Sequence, residues 1–174
     1  VSGNIVAGNQ NYSISLYDSS SNTISENNIT NNKFGISMSF SNYSSIFGNN
    51  IGGNIDFGIL LEYSSNYNNL SENNIANNGY GIKLVDSSDN MLRDNSMASN
   101  KYNFGVYGSR LSDFINDVDT SNKVDDKLVY YWVNKGDMTV PLDAGYVALV
   151  NCTSITVQNL NLINNCQGAL LVYT

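Results

Sequence analysis

The sequence predicts an all-β fold, a right-handed single-stranded parallel β-helix (a solenoid) with coils of 22 to 24 residues and one irregular acidic insertion. Three observations predict it. Apolar residues recur in rows at one-coil spacing, polar turns rich in Asn and Ser separate them, and no apolar stretch is long enough for a helix.

The register comes from aligning Asn22–Ile29 (NTISENNI) with Asn68–Ile75 (NNLSENNI). A first apolar row then runs through Ile24, Ile46, Leu70, Leu92 and Ile115, at spacings of 22, 24, 22 and 23. The second is Ile5, Ile29, Ile51, Ile75 and Met97, and the third Ile14, Ile36, Ile59, Ile82 and Val106. A fourth lies two residues beyond the third: Leu16, Met38, Leu61 and Leu84. The alternation Ile36-Ser37-Met38-Ser39 has period two and is therefore strand. A strand of a few residues cannot bury a face alone, but equivalent strands stacked about 4.8 Å apart enclose one continuous core.

The polar positions follow the same rhythm. Asn27, Asn49, Asn73 and Asn95 stand two residues before the second row. At such a corner each amide reaches its equivalent one coil away, so these four are expected to form a hydrogen-bonded ladder. Gly35, Gly58, Gly81 and Gly105 precede the third strand, where a turn with positive φ is expected. The residue before each is aromatic, Phe34, Phe57, Tyr80 and Phe104, with Tyr12 equivalent in the first coil. Five rings at this spacing are expected to stack, as packing rather than as a carbohydrate platform.

One domain spans 1–174, with regular coils over 1–115, an irregular loop and strand over 116–142, and resumed coils over 143–174. Lys123–Lys127 reads as a loop thrown out from the helix and Val129–Val133 as a strand. In the resumed part Val157, Leu162 and Gly168 match Ile24, Ile29 and Gly35 without a gap. The first and last residues read as parts of coils, so the chain is expected to continue into further coils or to stack on another molecule.

Composition limits the function. There are 31 Asn and 23 Ser, no His, 13% charged residues and a net charge of −7, so no basic stripe exists to neutralise nucleic-acid phosphates. No segment approaches the roughly 20 apolar residues needed to insert in a bilayer. No cofactor motif is present. Cys152 and Cys166 are too few for a disulfide framework and match no zinc spacing. They read as small hydrophobes filling turn or core positions, with a bridge within or between chains as the alternative.

The iterated Asn-x-Ile-x-x-Asn-x-Ile and Asn-Asn-x-x-Gly-Ile-x-Leu pattern resembles the β-helix repeats of NosD-like and carbohydrate-binding/sugar-hydrolase domains. It is most similar to those of large, Asn/Ser-rich surface proteins of methanogenic archaea. The segment Lys127–Asn134, followed by Asp143–Cys152 and the coil at Ile155, resembles an element recurring in those proteins. The resemblance implies an extracellular, cell-surface location and a structural role in a sheath or S-layer, with self-association or neighbouring repeats as partners. The NosD name also implies copper, but there is no His, and Met38, Met91, Met97 and Met138 lie mostly on core rows.

Two alternatives follow from the outer face of the third strand. A carbohydrate-binding module would use Tyr17, Phe40, Tyr63 and Tyr107 with Asn and Ser donors, its partner a cell-wall or surface polysaccharide. A lyase or hydrolase would use a patch of Glu62, Lys83, Asp86 and Arg110, since acid–base chemistry on sugars needs a carboxylate beside a base. The plainer reading of that patch is a diagonal surface salt bridge. Asp117, Asp119, Asp125 and Asp126 supply oxygen ligands in number for calcium, though their spacing matches no calcium loop and a solvated acidic loop is expected. Among the sequons at Asn11, Asn28, Asn42, Asn69 and Asn151, Asn42 is the glycosylation candidate, in the turn after the third strand.

Overall fold

A computed structural model describes every residue from Val1 to Thr174. The chain is an all-β parallel solenoid of three sheets with no α-helix, and a 3-10 turn at Leu111–Phe114. The first sheet stacks Thr23–Ser25, Ser45–Phe47, Asn69–Ser71, Met91–Arg93 and Asp117–Val118. The third stacks Tyr12–Tyr17, Phe34–Ser39, Phe57–Glu62, Tyr80–Val85 and Tyr102–Tyr107. The second begins with Ile5–Ala7, Asn28–Thr30, Asn50–Gly52, Asn74–Ala76, Ser96–Ala98 and Lys123–Val124. It then runs on through Lys127–Val133, Ala144–Val150 and Ala169–Val172.

The apolar rows form the core. Ile24 pairs with Ile46, Ile46 with Leu70, and Leu70 with Leu92, and all are buried. Ile29, Ile51, Ile75 and Met97 do the same in the second sheet. Each fully buried Ile or Leu contributes about 1.5–3 kcal/mol of transfer free energy, the main return on ordering so short a strand.

The rows depart from expectation at their ends. Val6, not Ile5, lies opposite Ile29; Ile5 pairs with Asn28 and is 80% exposed. A one-residue slip sends a strand residue to the other face, and here it exchanges the two. Phe104, not Val106, follows Ile82, and Val106 instead continues the fourth row opposite Leu84. Tyr102 therefore takes the place expected for Phe104 in the aromatic column. Val118, not Ile115, pairs with Leu92, because the 3-10 turn lengthens that coil.

The glycines before the third strand have a different purpose from the one expected. None of Gly35, Gly58, Gly81 and Gly105 has positive φ. A Cβ on Gly35 would collide with the carbonyl oxygen of Gly58, and one on Gly81 with that of Asn103. Close approach between coils, not left-handed backbone, requires the first three, whereas Gly105, opposite Lys83, makes room for the Cys166 side chain. The left-handed turns fall largely to other residues, in rows such as Asp18, Phe40, Tyr63, Asp86 and Ser21, Tyr43, Tyr67, Asp89.

Asparagines line the corners, buried from Asn27 and Asn32 onward. Asn4, Asn27, Asn49, Asn73, Asn95 and Asn122 form one ladder, each Nδ2 donating to the next Oδ1 at 2.9–3.0 Å. A second ladder, unanticipated from the sequence, joins Asn9, Asn32, Asn54, Asn78, Asn100 and Asn103 at 2.9–3.2 Å. At the third corner Ser44, Asn68, Asn90 and Asn116 receive the preceding coil's backbone N–H groups. Repetition thus satisfies polar groups that the narrow core would otherwise leave unpaired.

The interruption is not a loop thrown outward. Lys123–Val124 still pairs in parallel with Ser96–Met97, and then turns back through Asp125 and Asp126 into Lys127–Leu128. Both turn residues have positive φ, as a two-residue hairpin of type I′ requires. Beyond it the second sheet is covered on both faces. Val129, Tyr131, Tyr146, Ala148 and Val150 join the main core. Tyr130, Val140, Ala144, Val147, Leu149 and Cys152 form a smaller cluster, covered by Ile155, Leu160 and Leu162. The segment from Ile155 to Leu162 therefore lies outside the sheet instead of resuming the coil rows, and Val157 is exposed. The chain there stacks in parallel on the preceding turn, Gly136 paired with Thr153 and Thr139 with Thr156, and then rejoins the second sheet at Ala169–Val172, opposite Val147–Val150.

Candidate functional site

The outer face of the third sheet, with the turn that follows it, gathers most of the exposed aromatic residues. Phe40 and Tyr63 stack at 5.4 Å with an interplanar angle of 18°, and Tyr17 meets Phe40 edge-on at 6.0 Å. Three and four residues further along the turn, respectively, Tyr43 and Tyr67 stack at 5.2 Å and 6°. Sequence reasoning missed this second pair, although both precede the Ser44 and Asn68 corner at one-coil spacing. Tyr43 and Tyr67 are 64% and 52% exposed. Phe40, Tyr43, Tyr63 and Tyr67 all have φ between 51° and 56°. Left-handed backbone costs a residue with a side chain roughly 1–2 kcal/mol, and Asn, Asp or Gly bear it best. Asp18, Asp86 and Asp89 occupy the same rows, so the aromatic rings stand where the backbone alone would favour smaller residues.

Between the two stacks lies Asn42, half-buried, whose Oδ1 accepts the Asn66 N–H at 2.6 Å. The Asn66 Oδ1 accepts from Ser88 N–H at 2.7 Å in turn. The Asp89 carboxylate beside Tyr67 pushes its phenol pKa above the usual value, so it stays a hydrogen-bond donor. Ring faces flanked by amides suit the apolar face and hydroxyls of a sugar.

The residues proposed for sugar cleavage do not converge. Glu62 accepts a hydrogen bond from Ser39 Oγ at 3.0 Å. Lys83 stands in a different row, opposite Leu60 and Gly105, with its ammonium over the rings of Tyr80 and Tyr107. Asp86 occupies a left-handed turn position. Arg110 pairs with Asp113 at 2.9 Å within the 3-10 turn. The expected salt bridge among these four residues is absent, since the chain's ion pairs are Arg110–Asp113, Arg93–Asp117 and Arg93–Asp119. Tyr107 is likewise apart from Tyr17, Phe40 and Tyr63, in a pocket with Tyr80, Tyr102 and Cys166.

The calcium candidates also separate. Asp117 and Asp119 pair with Arg93. Asp125 accepts from Ser99 N–H, Asn103 Nδ2 and Asn164 Nδ2 at 2.8–3.1 Å, capping the second Asn ladder. Asp126 is exposed in the hairpin turn. No three acidic or cysteine side chains gather to hold a metal ion. Both cysteines are free thiols, and no bridge joins them. Cys152 is buried in the smaller cluster with its Sγ 3.4 Å from the Trp132 carbonyl oxygen, whereas Cys166 sits on Gly105 at the edge of the third sheet.

No curated protein and no solved structure matches the chain. A family model described as a right handed beta helix region matches residues 1–119. With well over half of its length matched, and its stacked coils in three sheets, the chain belongs to the right-handed β-helix family.

Proposed function

We propose that this chain is a structural repeat domain of an archaeal cell-surface, sheath or S-layer-type protein, a stiff scaffold of stacked coils outside the cell. The archaeal and surface assignments rest on the resemblance of the repeat to methanogen surface proteins. The observation that carries the scaffold reading is the pair of six-rung asparagine ladders, which tie every regular coil to the next through buried side chains. The edges of Ile5–Ala7 and Ala169–Val172, with Ile5 and Leu171 exposed, offer surfaces for association with like solenoids. Immunogold microscopy of the source cells, with antibody raised against this chain, tests the reading. Label confined to the envelope is expected, and label inside the cell or only in the medium contradicts it.

A second reading, an extracellular carbohydrate-binding module, is favoured by the Phe40–Tyr63 and Tyr43–Tyr67 stacks held at unfavourable backbone positions. Glycan-array binding that is lost in Tyr63→Ala would support it, and an array blank for the parent chain would end it.

A further inference from the structure

We propose that the pocket between Tyr80, Tyr102, Tyr107 and Cys166 binds a single anionic group, a carboxylate or an oxyanion such as sulfate, against the Lys83 ammonium. The site is independent of the scaffold reading.

The pocket is built where the regular stack meets the returning chain. Tyr80 and Tyr102 are adjacent in the column before the third strand, with ring centroids 5.1 Å apart. Tyr107 closes the far end of the last strand in that sheet. The fourth wall comes from residues 164–167, which cross the sheet edge: Cys166 N–H donates to the Phe104 carbonyl at 3.0 Å, and Gln167 Nε2 to that of Val106 at 3.0 Å. The Cys166 side chain fills the space that a Cβ on Gly105 would need. The resulting volume is about 200 Å³. At ~30 Å³ per water it holds a small oxyanion readily.

Its charge is uncompensated. The Lys83 Nζ lies 4.9 Å from the Tyr80 ring centre and 5.1 Å from that of Tyr107, and Lys101 Nζ lies 5.3 Å from Tyr102. Neither lysine forms an ion pair, in a chain with 15 acidic residues and eight basic ones. The carboxylate acting on the pocket is that of Asp56, near Tyr80, and it pairs with neither ammonium. Burial, with Cys166 alongside, raises the Tyr107 phenol to about 12, and burial also raises Tyr80 and the Cys166 thiol. Tyr80, Tyr107 and Cys166 are therefore uncharged at neutral pH, which leaves the Lys83 ammonium, over the Tyr80 and Tyr107 rings, as the charged donor that an anion takes.

Cys166 reports on occupancy, because the other thiol, Cys152, is fully buried. Alkylation of the intact chain by neutral iodoacetamide is followed with added sodium sulfate, with an oligouronate, or with sodium chloride at equal ionic strength. Cys166→Ser identifies the reacting thiol. Sulfate is expected to slow alkylation where chloride does not. Lys83→Met should weaken that protection roughly tenfold or more, the loss of one charge-assisted contact, while Lys123→Met leaves it unchanged. Protection by oligouronate at far lower concentration than sulfate assigns the anion to a sugar chain, and equal potency assigns it to a free oxyanion. Protection that chloride matches, that survives Lys83→Met undiminished, or that neither anion gives overturns the proposal.

Discussion

The regular coils up to Tyr107 and the segment from Arg110 onward solve the same problem in different ways. Both are short strands that must bury a face and pair every backbone group. In the coils one solution is repeated: an Asn at a corner accepts from the coil before it and donates to the coil after it. In the later segment, apart from the last ladder residues Asn116 and Asn122, the polar contacts are individual ones. Asp113 accepts from the Ser109 and Arg110 N–H groups, Asp125 caps a ladder, Tyr130 donates to Asp143, and Gln167 reaches across to Val106. The repeated solution is cooperative, since every rung leans on two others, whereas each individual contact stands alone. The difference shows why the anion pocket lies where it does: only a returning segment brings a foreign side chain onto the outer face of the stack.

Asparagine substitutions should break that contrast most visibly. Asn73 accepts two bonds from Asn49 and donates to the Ile46 carbonyl and to Asn95. Asn73→Ala leaves these groups buried and unpaired, and about 3–5 kcal/mol of unfolding free energy should be lost in urea titration. Asn165 donates to the Gly145 and Ile163 carbonyls while its buried Oδ1 has no partner. Asn165→Ala should therefore cost only about 1 kcal/mol. Equal losses would dissolve the distinction.

Glycine substitutions sharpen it further, on a smaller scale. Gly81→Ala places a methyl against the Asn103 carbonyl of the next coil and should cost about 1–3 kcal/mol. Gly168 has open space around it and no positive φ, so Gly168→Ala should stay within about 0.5 kcal/mol in the same titration.

The repeat was legible because its period is carried by residue type: Ile and Leu in the core rows, Asn at the corner, aromatic rings before the third strand. It became illegible where two residues of one type compete for a row. Ile5 and Val6 are adjacent and equally apolar, and Phe104 and Val106 differ by one period of a strand, so composition cannot choose between them. Ile155, Leu160 and Leu162 have the right spacing for a coil, yet the widened sheet at Ala144–Val150 has a second apolar face to cover, and that face takes them. Of the candidate sites, the aromatic turn was half legible, through Phe40 and Tyr63. The pocket of Tyr80, Tyr102, Tyr107 and Cys166 was not, because Cys166 reaches Gly105 from 61 residues downstream by a path outside the coil rhythm.

Native-state hydrogen exchange tests the central claim most directly, that the asparagine-tied coils form one cooperative body and the later segment does not. The backbone amides of Asn49, Asn54, Asn73 and Asn78, each donating to a buried Asn Oδ1, should exchange together and only through global unfolding. Amides between Thr153 and Asn165 should open at much lower free energy. Exchange of the four ladder amides at rates that differ widely, or as fast as those of the later segment, would contradict the account.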